Sequence, residues 1–271
     1  MEFQVKGKSK SSLVNDFNKP ENIFIFLHFS SLSLVRGMMY TFDRLAVDVR
    51  DLLKRQHIEQ ALLRQYFNKD GFLVQINCQV PYMVTDETSL KPYAIVEDVE
   101  KTKSISLPDI KPLTSLSYFF DSNTYNDTDS FAIRQINPNL PLQYVHTCFE
   151  FNNFVHVGGR LVEDYHGRSL IMAFANCLAQ ARLKYGSEVD GVLPEPITVH
   201  FVNTDGFKFH FSAFQLNTLD LEGEVKNIFW HEPEMENMFE KCDYVTGKPR
   251  LEGYNHNVFK KLLSMYLQNS V

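Results

Sequence analysis

Within residues 167–216 the hydrophobic period changes once, and that change constrains the fold more than any other feature of the chain. From Gly167 to Tyr185 the apolar residues Leu170, Ile171, Phe174, Leu178, Ala181 and Leu183 recur at helical spacing. Arg182 and Lys184 complement the negative end of that helix, and Gly186 stops it. Ile197 to Val202 is then β-branched and aromatic, Asp205-Gly206 is a hairpin signal, and Phe207 to Leu216 reads as a returning strand. The apolar parity of that strand shifts between Phe211 and Phe214, which predicts burial on both faces or a bulge. A long helix next to a buried hairpin defines an α+β chain with a mixed sheet packed by two or three helices; an α/β layered arrangement is the alternative.

The remaining segments fill in this plan. Phe42, Leu45, Val49, Leu52, Leu53, Leu62 and Leu63 predict a helix over 42–66. Asp70-Gly71 marks a turn, and Phe72 to Val80 alternates as a strand that ends at Pro81. Between 81 and 144 prolines divide the chain, leaving a short strand at Tyr118 to Asp121. Val145, Thr147, Phe149 and Phe151 alternate as a further strand, and a last helix starts at Asn255 or Asn257 and carries Phe259, Leu262, Leu263 and Tyr266. Residues 1–37 read as a leader of undefined role, with Ile23 to Val35 as a strand or an undefined start. Residues 38–271 read as a single α+β domain.

Composition removes several classes of function. With 44% hydrophobic and 22% charged residues, the chain is globular rather than disordered. No apolar run reaches the roughly 20 residues of a membrane span. Residues 1–69 carry 11 Lys/Arg and 7 Asp/Glu, a balance of +4, so the net −6 leaves residues 70–271 at −10. An acidic body repels a phosphate backbone, so protein partners are expected over 70–271, no DNA is expected, and RNA contact is sought in the first quarter. Its candidates are Arg44, Arg50, Lys54, Arg55, Arg64 and Lys69, interrupted by Asp43, Asp48, Asp51 and Glu59. Cys78, Cys148, Cys177 and Cys242 are scattered without C-x-x-C spacing and read as buried thiols.

No motif assembles a catalytic set. His146, His156 and His166 are evenly spaced, as are His200 and His210, but that spacing has no meaning within one helix or strand. His200 and His210 lie on opposite arms of the hairpin without a third ligand nearby, so they read as sheet-face residues and no metal or other cofactor is assigned. Val157-Gly158-Gly159-Arg160 matches neither phosphate-binding glycine pattern and reads as a turn; Ser169 lacks the nucleophile-elbow context. Cys177 reads as a core thiol, and Glu163 and Asp164 as a solvated approach to the helix N-terminus. Gln215 and Asn217 read as outward-facing residues at a strand end. Asn126-Asp127-Thr128 reads as a chance sequon.

Three blocks carry a resemblance. MAFANCLAQARLKYG (172–186), TDGFKFHFSAFQLNTLDL (204–221) and VKNIFW (225–230) resemble, in order and spacing, the family of mitochondrial large-ribosomal-subunit protein thirty-seven, and NVFKKLLSMYL (257–267) fits that family's C-terminus. A sister family, once counted as small-subunit protein thirty and also called programmed cell death protein nine, shares the FQLNTL and KNIFW blocks. The resemblance implies a structural, non-enzymatic constituent of the ribosome in the mitochondrial matrix. It also implies neighbours: the sister protein, other mitochondrial ribosomal proteins and ribosomal RNA. Family members usually begin with an importable presequence, whose Arg-rich, acid-poor pattern residues 1–37 lack. Outside the resemblance, the competing readings are a small-molecule enzyme with a cleft between Gly158 and His166, or a non-ribosomal adaptor.

Overall fold

The computed structural model describes residues 20–45, 50–107, 117–120, 130, 131, 133, 143–151, 162–245 and 248–269. Its centre is an open mixed sheet. Strands β1 (Gln56–Lys69), β2 (Phe72–Asp86), β3 (Ser117–Phe120), β4 (Ser130–Phe131), β5 (Tyr144–Phe151), β6 (Val192–Thr204), β7 (Lys208–Thr218), β8 (Ile228–His231) and β9 (Glu236–Asn237) belong to it. The path runs β4-β1-β2-β5-β6-β7-β8, with β3 on β2 and β9 on β7. Among the described residues only β5 and β6 pair in parallel, and the long helix joins them. A separate ribbon is formed by β10 (Lys241–Val245) and β11 (Lys248–Glu252). The fold is α+β, as the hairpin and helix signals imply.

Helices cover both faces. Four are described: α1 (Pro20–Leu45), the short α2 (Val96–Lys101), α3 (Val162–Tyr185) and α4 (His256–Tyr266). Met172, Cys177, Leu178 and Ala181 of α3 pack with Ile76, Cys148, Val199, Phe201, Phe214 and Leu216 on one side. Val35, Met39 and Phe42 of α1 and Val258, Leu262 and Tyr266 of α4 pack with Tyr82, Phe149, Val202, Phe209 and Phe211 on the other. Phe211 and Phe214 therefore face opposite layers of a strand buried on both sides, and the register between β6 and β7 is continuous there. Cys78, Cys148 and Cys177 are buried free thiols.

Two segments depart from the sequence expectation. Ile23 to Val35 is helix, not strand, and α1 runs on without a break across the expected boundary at 37/38. Pro20 stands at its first position, where a missing N–H costs nothing. Leu32, Val35, Met38, Met39 and Phe42 are all buried at helical spacing. The expected helix over 42–66 is not formed: α1 ends at Leu45, a 3-10 turn spans Arg50–Lys54, and β1 begins at Gln56.

The apolar residues of that stretch divide among three elements, and on β1 the inward face changes at Gln60 and Pro81. The β1–β2 register runs Glu59↔Tyr82, then Ala61↔Val80, with Gln60 at φ 56° between them and Pro81 opposite. Below this point Ala61 and Leu63 pack under α3, but above it Ile58 does. On β2, Cys78 and Val80 face α3, whereas Tyr82 and Val84 face α1 and α4. Alternation flips in both strands at once. Pro81 does not end β2; the strand continues to Asp86 and passes from its pairing with β3 to its pairing with β5.

Candidate functional site

Placement of the candidate RNA-contacting residues follows from that correction. Arg44 is exposed in the last turn of α1, and Lys54 is exposed at the end of the 3-10 turn, 3.3 Å from Glu87. Arg50 begins that turn. Arg64 and Lys69 lie on β1 at odd spacing, hence on opposite faces, and Lys69 contacts Asp70 at 3.1 Å. Arg55 is not a surface residue. Its Nε donates to Asp86 at 2.8 Å, its NH2 donates to the Gln268 carbonyl at 2.8 Å, and its guanidinium lies 4.6 Å from the centre of the Tyr266 ring. The six do not share one helical face; Arg55 instead ties the start of β1 to the chain beyond α4.

The interior between β5, β6 and that clamp is polar. His146 and His200 are buried edge to face, 5.3 Å apart, and Tyr93 stacks on His200 while its hydroxyl meets Nε2. Burial and the Arg55 charge push His200 down to about 3 and hold His146 well below the usual histidine range. Both are neutral at physiological pH. Desolvation pushes the Cys78 thiol up to about 12, which keeps it protonated at physiological pH.

The residues that carry the family resemblance hold loops to this sheet. Gln215 and Asn217 are buried rather than outward-facing. Gln215 Oε1 accepts from Tyr93 N–H at 2.8 Å and Ala94 N–H at 2.9 Å, and its Nε2 donates to Asn217 Oδ1 at 2.8 Å. Asn227 Oδ1 accepts from the Asn217 and Thr218 N–H groups at 2.7 and 3.0 Å, and Asn217 Nδ2 donates to the Lys226 carbonyl at 2.8 Å. The FQLNTL and KNIFW blocks thus interlock. In the AQARLKYG block, Gln180 Oε1 accepts from Val145 N–H at 3.0 Å, and Arg182 donates to Gln65 Oε1 at 3.0 Å and to the Tyr66 carbonyl at 2.6 Å. Alternation along β7 could not reveal this, because the strand is buried on both faces.

Histidines also meet at the N-terminal end of α3. His200 and His210 lie on opposite faces, since His200 pairs with Ala213 and His210 with Asn203. His210 instead approaches His166 of α3 and His231 of β8. The His166 ring lies 4.5 Å from His210 and 4.1 Å from His231 between centroids. One ring nitrogen of each lies within 4.8 Å of the others. Sequence spacing misses His231 because the β7–β8 register, Ser212↔His231, brings it there. Gly158, Gly159 and Arg160, like Asn126, lie outside the described residues, as do the side chains of Glu163 and Asp164.

Fold and site define a mixed-sheet α+β scaffold whose hydrogen-bonding side chains turn inward onto its own loops. Residues 49–270 match the family described as mitochondrial 28S ribosomal protein S30 (PDCD9), and the chain belongs to that family of mitochondrial ribosomal proteins. It is 30% identical over 230 residues to the large ribosomal subunit protein mL37 of Rattus norvegicus, covering 81% of this chain and 53% of that one. To the proteins of that name in Gallus gallus and Bos taurus it is 26% identical over 249 residues and 28% identical over 230, covering 88% and 81% of this chain and 57% and 53% of theirs. The chain spans about half the length of the curated relatives it matches.

Proposed function

We propose that this chain is a structural constituent of the mitochondrial large ribosomal subunit, working in the matrix. It binds mainly neighbouring ribosomal proteins, the sister-family protein among them, with limited ribosomal RNA contact and no catalysis. Family membership over residues 49–270 carries the reading, together with the large-subunit name of its relatives. The surface supports protein partners. Exposed large apolar residues concentrate in two stretches, Tyr40, Leu45, Leu53 and Leu62 in one and Tyr93, Ile95, Val96, Ile105 and Leu107 in the other. RNA contact is assigned to the exposed cations of the first quarter, Arg44 and Lys54 foremost, and Arg55 is withdrawn from that set because it is buried.

The test is sedimentation of mitochondrial lysate, followed by mass spectrometry and cross-linking of the purified large subunit. The chain should travel with that subunit, cross-link chiefly to ribosomal proteins, and lose RNA cross-links when Arg44 and Lys54 become Glu. Recovery only in free fractions would sink the proposal.

A further inference from the structure

We propose that His166, His210 and His231 form a binding site for a single divalent transition-metal ion of the zinc type, which locks the start of α3 onto β7 and β8. Three elements converge here, and each offers one ring nitrogen within 4.8 Å of the other two. Imidazole is a preferred ligand for zinc, and three histidines leave the fourth tetrahedral position to a water or a neighbouring group.

Tautomers give the second line of support. The Glu232 carbonyl accepts from His210 Nε2 at 2.9 Å and from His231 Nδ1 at 3.1 Å. One carbonyl thereby places the proton on a defined nitrogen of both rings and leaves lone pairs on His210 Nδ1 and His231 Nε2. This is the second-shell arrangement that prepares histidine for ligation. His210 is fully buried, and its Nδ1 has no hydrogen-bond partner. A buried acceptor left in that state is costly, and a metal ion satisfies it. Zinc–nitrogen bonds of about 2.0–2.1 Å require the three ring nitrogens, now within 4.8 Å of one another, to turn toward one point.

The test uses the full chain, stripped with chelator and then titrated with zinc chloride, and separately with cobalt(II) chloride as a spectroscopic probe. The expected result is one metal per chain by mass spectrometry of the retained ion, visible absorption of tetrahedral cobalt, and a thermal midpoint that rises with zinc. His231→Ala is the main variant because that ring is exposed; it should weaken binding at least tenfold while preserving the circular dichroism of the parent. His166→Ala should do the same, and His210→Gln provides a third measurement if it folds. No retained metal and no cobalt absorption at micromolar concentrations would overturn the proposal. So would equal binding by the parent and His231→Ala, which would move the ion to another site.

Discussion

One side-chain amide of Gln215 pairs with the peptide of Ala94 from both ends. Its Oε1 accepts from Ala94 N–H at 2.9 Å, and its Nε2 donates to Ala94 C=O at 3.2 Å. A strand residue thus makes the contact that an extra strand would make, and it fixes the loop that carries Tyr93 onto His200. Gln215→Leu keeps the volume and removes the pairing. We expect a loss of about 1–3 kcal/mol for each buried group it strands, read from urea denaturation.

Arg55 and Asp86 form a buried ion pair, so the effect of removing one partner differs from that of removing both. Asp86→Ala should cost about 3–5 kcal/mol by leaving the guanidinium uncompensated. The double variant Arg55→Met, Asp86→Ala should recover part of that loss. A double variant no more stable than Asp86→Ala alone would contradict this account of the pair.

Acid should destabilise the protein well before its carboxylates protonate. His200 is held at about 3 in the folded chain against 6.5 in the unfolded one, and His146 is lowered too. Between these limits the unfolded chain binds more protons, so stability is full above pH 6.5 and falls as pH drops toward 3. The slope is roughly 1 kcal/mol per pH unit for each such histidine. Denaturation midpoints at pH 7 and pH 5 measure it, and His200→Gln should flatten the decline by one proton's share.

Two glycines should respond in opposite directions to alanine. Gly206 has φ 90°, and a Cβ there would lie 3.2 Å from Ser31 Oγ of α1. Gly206→Ala should destabilise by about 1 kcal/mol or more. Gly167 lies within α3 with open space around it, so Gly167→Ala should stabilise by about 0.5–1 kcal/mol. Thermal melts of both variants settle the comparison.

Elements whose residues obey one local rule were legible in the sequence. The Asp70-Gly71 turn adopts positive φ at both residues, Gly186 stops α3 at φ 98°, and Asn255 caps α4 by accepting from Asn257 N–H at 3.0 Å. The stretch 42–66 was misleading because its apolar residues divide among three elements: Phe42 and Leu45 lie in α1, Leu52 and Leu53 in the 3-10 turn, and Leu62 and Leu63 on β1, where Leu62 is exposed and Leu63 buried. Gln215 and Asn217 look like polar exceptions on a strand until the loops they hold are in view. His231 reaches His166 and His210 only through the β7–β8 register, which no local spacing encodes.

The layer beneath α4 has a consequence for how the chain comes into being. Val258, Leu262 and Tyr266 cover apolar residues as early as Phe42 and Tyr82, far upstream in the order of synthesis. A nascent chain halted before Asn255 therefore leaves that part of its sheet bare, with hydrophobic rings open to solvent. Such a chain is a target for chaperones and proteases, and translation must deliver the closing segment before the molecule can escape them.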